Sequence, residues 1–414
     1  MNIAIITDAF PPMVDGVSRC ALGYAVAMHE SGYGKCIVVA PKQPRAKHDR
    51  YPFPVYGFNS LGIWYNDYRA GHPFLPRLIS IMRKMKIDII HAHSPFLSMM
   101  IARQLRHFLK IPIVFTQHTK WDYDLARALP VKAVARSVER FVYSNIRAAN
   151  DVWAVSNSTG EYLVEHGYKG DYFVVPNGTD FPQGSVNEAL LQDIVSRHSL
   201  PDGVPVLLFV GRMMWYKGIR LIIEAVEILH GSGFDFRMVF VGDGNDLNNA
   251  KALVRDRKLE DLVHFAGRVN DREELRAYYT RGDLFLLPST YDNAPLVVQE
   301  AAACSCPALV VRGSSASEVI EDGVTGYCSE QTPESIAETI LAVFRDKEKH
   351  KQVTAAALEH VYTPWSKVLE RSMERYEIVK RGYDIARKAK KVKRLRKRVI
   401  RIKKKAGKLK NAKD

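Results

Sequence analysis

The sequence predicts an α/β protein: two doubly wound parallel-sheet domains facing across a cleft, with a basic helical extension. Three observations predict it. The chain has 414 residues, more than one hydrophobic core organises, so two domains are expected. Short apolar runs alternate with longer amphipathic ones, the pattern of a parallel sheet covered on both faces. The net charge of +15 is confined to one end. Residues 384–414 hold sixteen Lys or Arg against two acids, which leaves the rest of the chain nearly neutral. A neutral body argues against specific nucleic-acid binding by the folded domains.

The first series opens with the strand Asn2–Thr7, the Pro-containing loop Asp8–Gly16 and the helix Val17–Ser31. The strand Cys36–Ala40 follows. Asp88–His91 leads to the helix Ser98–Leu109, and Ile113–Thr116 leads into His118. After the helix Val131–Ala149 come the strand Asp151–Val155, the helix Ser158–His166 and the strand Phe173–Pro176. Asn177-Gly178-Thr179-Asp180 is turn chemistry that closes the first domain, 1–178. The second, 179–363, repeats the pattern. Its strands are Val206–Val210, Arg237–Val241, Val263–Phe265 and Leu284–Leu287. Its helices are Gly218–His230, Asn245–Arg257, Glu273–Thr280 and one beginning near Pro295. Past Thr332 the chain turns helical, and Pro364-Trp365 breaks it before a last helix, 365–381, expected to complete the first domain.

Composition excludes several classes. The chain is 47% hydrophobic and 25% charged, an ordinary globular balance. Leu296–Val311, the most apolar stretch, is interrupted by Gln299, Glu300 and Ser305, too early for a membrane span. Met1–Phe10 lacks a basic leader and meets Asp8 too soon for a signal peptide. Five scattered cysteines, with Cys304 and Cys306 only one residue apart, suit neither a disulfide framework nor a structural zinc site. Reduced, buried thiols and no metal are expected. In the tail, Ile385, Ala389, Val392, Leu395, Val399, Ile402, Ala406 and Leu409 recur every three or four residues among Lys and Arg. That is a basic amphipathic helix suited to an anionic membrane surface.

Four segments carry chemistry. In Pro288-Ser289-Thr290-Tyr291-Asp292-Asn293-Ala294-Pro295-Leu296, running on to Glu300, a strand end meets a helix start. Free N–H groups there can cradle phosphate, while Asp292 and Glu300 suit sugar hydroxyls, which donate to carboxylates. Alternatively, Asp292 caps the helix and Glu300 faces solvent. In Val210-Gly211-Arg212-Met213-Met214-Trp215-Tyr216-Lys217-Gly218, two cations flank a helix start and can neutralise a departing diphosphate without a metal. Gly16, in Asp8-Ala9-Phe10-Pro11-Pro12-Met13-Val14-Asp15-Gly16-Val17, permits close backbone approach. His118, in Phe115-Thr116-Gln117-His118-Thr119, reads as structural or as catalytic. Asp122-Tyr123-Asp124 imitates a metal pair, and Gly242-Asp243-Gly244 lacks the third glycine of a dinucleotide fingerprint.

Taken together, these motifs resemble the retaining glycosyltransferases of family 4, with the two-Rossmann GT-B fold, from Asn2 to about Arg381. The amino-terminal half looks most like bacterial enzymes that glycosylate diacylglycerol or related lipids. The resemblance implies that Arg212 and Lys217 bind the donor diphosphate and that Gly16 approaches it from the other domain. It implies that Glu300 holds the ribose, Asp292 a sugar hydroxyl, and the backbone of Asn293, Ala294, Pro295 and Leu296 the sugar–phosphate. Phe265 to Arg268 would line the base, and His118 would sit over the sugar and stabilise positive charge at its anomeric carbon. Two departures stand out: the family's first acid is usually Glu rather than Asp292, and its glycine loop usually has two glycines, whereas Asp15 precedes Gly16. Asp15 is therefore expected to face the acceptor.

The expected activity is transfer of a hexose, with retention, from a nucleotide sugar to a membrane lipid or lipid-linked glycan. UDP-glucose is the favoured donor, and no cofactor or metal is required. The tail would hold the enzyme on the cytoplasmic face of the membrane. The alternatives are a soluble transferase using GDP-mannose or another donor on a small acceptor, and a non-catalytic sugar-nucleotide or anionic-polymer binding protein. Between Pro44 and Pro76, the aromatics Tyr51, Phe53, Tyr56, Phe58, Trp64, Tyr65 and Tyr68 would form an acceptor groove or a small satellite core.

Overall fold

The structure is a computed structural model that describes residues 1–13, 15–43, 48–62, 69–120, 132–184 and 186–410. The first lobe contains β1 (Ile3–Ile6), β2 (Cys36–Pro41), β3 (Val55–Phe58), the hairpin β4 (Ser60–Gly62) and β5 (Arg69–Gly71), β6 (Ile89–Ala92), β7 (Ile113–Gln117), β8 (Asp151–Ala154) and β9 (Phe173–Val174). Seven of these make one all-parallel sheet, in the order β3-β2-β1-β6-β7-β8-β9. The second lobe contains β10 (Val206–Val210), β11 (Arg237–Val241), β12 (Val263–Gly267), β13 (Leu284–Leu287), β14 (Ala308–Val311) and β15 (Tyr327–Ser329), all parallel in the order β12-β11-β10-β13-β14-β15.

Both sheets are built from Ile, Val, Leu and Phe runs whose two faces are each covered, so alternation is absent and burial is nearly continuous. In each lobe the strand order reverses once, beside β1 and β6 in the first and beside β10 and β13 in the second. The carboxyl ends of the strands beside such reversals are the usual ligand edge of doubly wound sheets.

Some expectations change. β3, the β4–β5 hairpin, the helix Pro76–Met85 and β15 were not legible as elements. Phe53 and Phe58 are buried, and Tyr51 stacks on Phe53 with centroids 5.4 Å apart, so these rings are core rather than groove. Trp64, Tyr65 and Tyr68 lie outside the described residues, as does Asp122-Tyr123-Asp124. Leu296–Val311 divides into a helix, Leu296–Ala303, and β14. Among the described residues no helix is long and apolar enough to cross a membrane. All five cysteines are free, and four are buried.

The last helix and the tail are one element, Trp365–Lys410, of 46 residues. Its first turns return to the first lobe. A Cβ on Gly23 would stand 2.1 Å from the Trp365 ring, so only glycine admits the indole there. Leu369 and Tyr376 are fully buried. Arg375 grips Asp151 through two bonds of 2.8 and 2.7 Å, and Lys380 pairs with Asp88. Arg387 still donates to the Lys110 carbonyl at 3.4 Å, and past it the helix runs on to Lys410, roughly 35 Å at 1.5 Å per residue. Ile385, Val392 and Leu395 are exposed along it.

Candidate active site

On the second lobe three loops meet backbone to backbone where β10, β11 and β13 end. Gly218 has φ 81°, and a Cβ on it would lie 2.4 Å from the Pro288 carbonyl oxygen. A Cβ on Gly242 would lie 1.8 Å from the Gly211 carbonyl, and one on Gly244 2.5 Å from that of Met213. These glycines therefore serve close packing of the loops, which explains Gly242-Asp243-Gly244 without a dinucleotide. The packing sets Lys217, in the turn Trp215–Lys217, against the segment after β13.

There Lys217 forms an ion pair with Asp292 through Oδ1, each side chain 15% exposed. Asp292 Oδ2 and Asn293 Oδ1 are buried and have no hydrogen-bond partner among the described residues. Asp292 thus does not cap the following helix. Pro295 occupies the cap position, with no side-chain bond to the first turn, and Leu296 rather than Pro295 begins the helix. Ala294 lies half-buried between them.

One helix further, Glu300 is 7% exposed rather than solvent-facing. Its Oε1 accepts from Arg272 at 2.9 Å and its Oε2 from the Tyr279 hydroxyl at 3.1 Å. Arg272 also pairs with Asp180 and lies 4.0 Å over the Phe181 ring. Burial pushes the Tyr279 phenol well above its ordinary range. Sequence reasoning missed Arg272, Tyr279 and Asp180, because nothing in their spacing marks three separate segments as neighbours. Arg268 is not brought to this group. It stands exposed past β12 and donates to Asn270 at 3.0 Å.

On the first lobe Asp15 caps the helix Gly16–Ser31, accepting from the Ser18 N–H at 2.6 Å. It is therefore turned to its own helix, not to an acceptor. Burial raises its carboxyl pKa, a shift partly offset by its own helix N–H groups and by the charge of Arg212 from the other lobe. Arg212 itself is exposed. A Cβ on Gly16 would meet nothing within 4 Å, so the space before this helix is open.

His118 follows β7 directly. Its Nε2 is 3.0 Å from His93 Nδ1, and the two rings stack with centroids 5.3 Å apart. Burial lowers its pKa to about 3, which leaves a neutral imidazole with a lone pair. A small cavity lined by Ala9, Val17, His93, Ser94, His118 and Thr119 lies against it. Behind it, His91 Nε2 meets Thr116 Oγ1 at 2.6 Å and His91 Nδ1 meets the Tyr376 hydroxyl at 2.6 Å. His91 and His93 were missed. Their spacing of two, with His91 on β6 and His93 directly after it, points both to one face of the sheet, a signal that was present.

The lobes touch around this site. Gln299 donates to the Asn177 carbonyl at 2.6 Å, and Arg19 pairs with Asp180 at 3.7 Å. Glu318 accepts from the N–H groups of Asn157 and Ser158 at 2.6 and 2.8 Å, so a second-lobe carboxylate sits on a first-lobe helix start.

Comparison with known proteins shows the family and the fold. The model described as Glycosyltransferase Family 4 matches residues 14–181, and that described as Glycosyl transferases group 1 matches residues 192–360. An alpha-monoglucosyldiacylglycerol synthase of Streptococcus pneumoniae is 22% identical over 83% of this chain and 79% of its own. A GDP-mannose-dependent alpha-mannosyltransferase of Corynebacterium glutamicum is 26% identical over 91% of this chain and 88% of its own. The structure of HepE from Anabaena, solved in complex with UDP, superposes with a TM-score of 0.72 at 17% identity, over 91% of this chain and all of that one.

Proposed function

Because the chain belongs to the glycosyltransferases of family 4, with the GT-B fold, we propose that it transfers a hexose, with retention of configuration, from a UDP-linked donor to a membrane lipid or lipid-linked glycan. One observation carries the reading of the donor site. Asp292 Oδ2 and Asn293 Oδ1 are buried acceptors with no donor among the described residues, beside a paired lysine and a helix start with no side-chain cap. Sugar hydroxyls supply donors, and a diphosphate supplies the anion that Lys217 can take in exchange for Asp292.

In this reading Lys217, Arg212 and the helix starting at Leu296 receive the diphosphate, with Gly16 leaving room on the opposite side. As Lys217 turns to phosphate, Asp292 is released to a sugar hydroxyl. Glu300 keeps one lone pair on each oxygen beyond those used by Arg272 and Tyr279, enough for two ribose hydroxyls. His118, neutral, sits over the sugar and offers electron density to the developing positive charge. The leaving phosphate takes the proton of the acceptor hydroxyl on the same face, which gives retention.

The lipid acceptor rests on the terminal helix and on the name of the Streptococcus relative. A helix anchored by Arg375 and Lys380 and exposing Ile385, Val392 and Leu395 amid basic residues is suited to an anionic surface. The Corynebacterium relative favours a second reading, a GDP-mannose donor.

The test is product mass spectrometry after incubation with UDP-glucose or GDP-mannose and anionic vesicles of host lipid. The expected product is a hexosylated lipid from UDP-glucose, its anomeric configuration retained by NMR. Truncation after Tyr383 is expected to abolish vesicle binding. Product from GDP-mannose alone would replace the donor. Full vesicle binding and activity without the tail would overturn its role.

A further inference from the structure

We propose that Cys20, His93 and His118 form a zinc site at the floor of the cleft, through which the ion reversibly switches the enzyme off. Three elements converge to make it. Cys20 lies in the second turn of the helix after β1, His93 directly follows β6, and His118 directly follows β7. β6 and β7 are adjacent and parallel, so their ends deliver the two imidazoles side by side. The helix then lays the thiol against them. One ligand atom from each residue lies within 4.8 Å of the other two.

The donor set selects the metal. One sulfur and two imidazole nitrogens suit zinc and exclude the oxygen-seeking magnesium and calcium. Zinc bonds of about 2.3 Å to sulfur and 2.0–2.1 Å to nitrogen place tetrahedral ligand atoms about 3.3–3.6 Å apart. The His93 and His118 nitrogens stand at 3.0 Å, so the pair opens by a few tenths of an ångström. His93 Nε2 has no partner among the described residues, so no bond at that atom resists the rotation. Three protein ligands leave a fourth position, and His118, half-buried at the cleft, marks the entry.

An outer partner is also in place. The Cys20 thiol donates to Asn177 Oδ1 at 3.2 Å. When zinc binds, the thiol proton leaves to solvent and the sulfur becomes a thiolate bound to the metal. No electrons move. Rotating the Asn177 amide then presents its NH2 to that sulfur, the usual task of a group behind a metal ligand. Zinc binding requires none of the proposed transferase chemistry. Only the inhibition rests on that reading, since it follows from withholding His118 from the sugar.

Cobalt(II), a spectroscopic substitute for zinc, tests the site on the whole chain. Titration is expected to give the near-ultraviolet charge-transfer absorption of a cobalt–thiolate bond, displaced by equimolar zinc. Cys20→Ser is expected to lose that band and to bind zinc at least about tenfold more weakly, the scale set by removing a metal's partners. Thermal melting of the variant verifies that it is folded. Cys20→Ala, if folded, should keep its transferase activity while tolerating at least tenfold more zinc, and a chelator should restore the wild type. Absence of a thiolate band in folded protein, or equal zinc affinity in Cys20→Ser, overturns the site. A Cys20-dependent site in a protein that transfers no hexose from any donor keeps the site and removes the activity.

Discussion

The two lobes meet the cleft with opposite chemistry. The second offers full charges already paired, Lys217 with Asp292 and Glu300 with Arg272. The first offers buried imidazoles that titrate far below their ordinary range, because burial disfavours the cation. The difference is what the proposed departure of a diphosphate from a sugar requires. An anion that arrives and departs is best met by cations that change partners rather than stand bare, since an unpaired, partly buried charge is costly. An electron-poor sugar carbon is best met by a lone pair, and a second cation beside it would oppose the reaction.

That contrast breaks most visibly at Lys217. Lys217→Ala is expected to lower kcat/KM about a thousandfold, the upper range for losing one group that stabilises developing charge. A loss under tenfold would mean that the diphosphate is gripped elsewhere. His118→Ala probes the other side. A fall of about a hundredfold in kcat, with donor KM little changed, is expected of a group used only as charge develops. Equal effects on kcat and KM would instead make His118 a binding residue.

Arg272→Ala sharpens the comparison within the second lobe, because Arg272 pairs with Glu300 and not with Asp292, the partner of Lys217. Glu300 should keep its Tyr279 bond yet lose its orientation and its counter-charge. Donor KM is expected to rise about tenfold, worth ~1.4 kcal/mol, while kcat holds. Arg272→Lys should recover part of that loss, since it restores charge but not the fixed fork.

The lobes also differ in how far they can be read from sequence. The second is regular. β10, β11 and β13 appear as apolar runs at their observed positions, Arg212, Lys217 and Asp292 stand in the loops that follow strands, the usual ligand edge, and Glu300 lies on the next helix. The first lobe hid β3, the β4–β5 hairpin and the helix Pro76–Met85. Its aromatics could equally line a groove, and Phe53 and Phe58 turned inward because a parallel sheet needs its edge covered. Partners were the least legible feature. Arg272, Tyr279 and Asp180 come from three segments, and only folding makes them neighbours of Glu300. The fusion of last helix and tail was obscured too, since Gly382 and the rise in charge after Asp384 resemble a boundary but leave the backbone bonds intact.

The smallest expected effect tests whether the first lobe keeps charge out in general or only at its histidines. Asp8 is buried at the end of β1. Its Oδ1 accepts from the Ser98 N–H and hydroxyl at 2.9 and 2.7 Å, while Oδ2 has no partner among the described residues. Burial outweighs those bonds and raises its pKa above the ordinary 3.8. A carboxyl raised in the folded state costs nothing while both states are protonated, and stability falls as pH rises through the folded pKa. Asp8→Asn keeps the acceptor and removes the ionisation, so its melting temperature should exceed that of the wild type at pH 7. The gap should close as the pH approaches ~4, near the unfolded carboxyl value. A gap that does not change with pH would show Asp8 to be an accommodated charge, and the division between the lobes would then hold for the imidazoles alone.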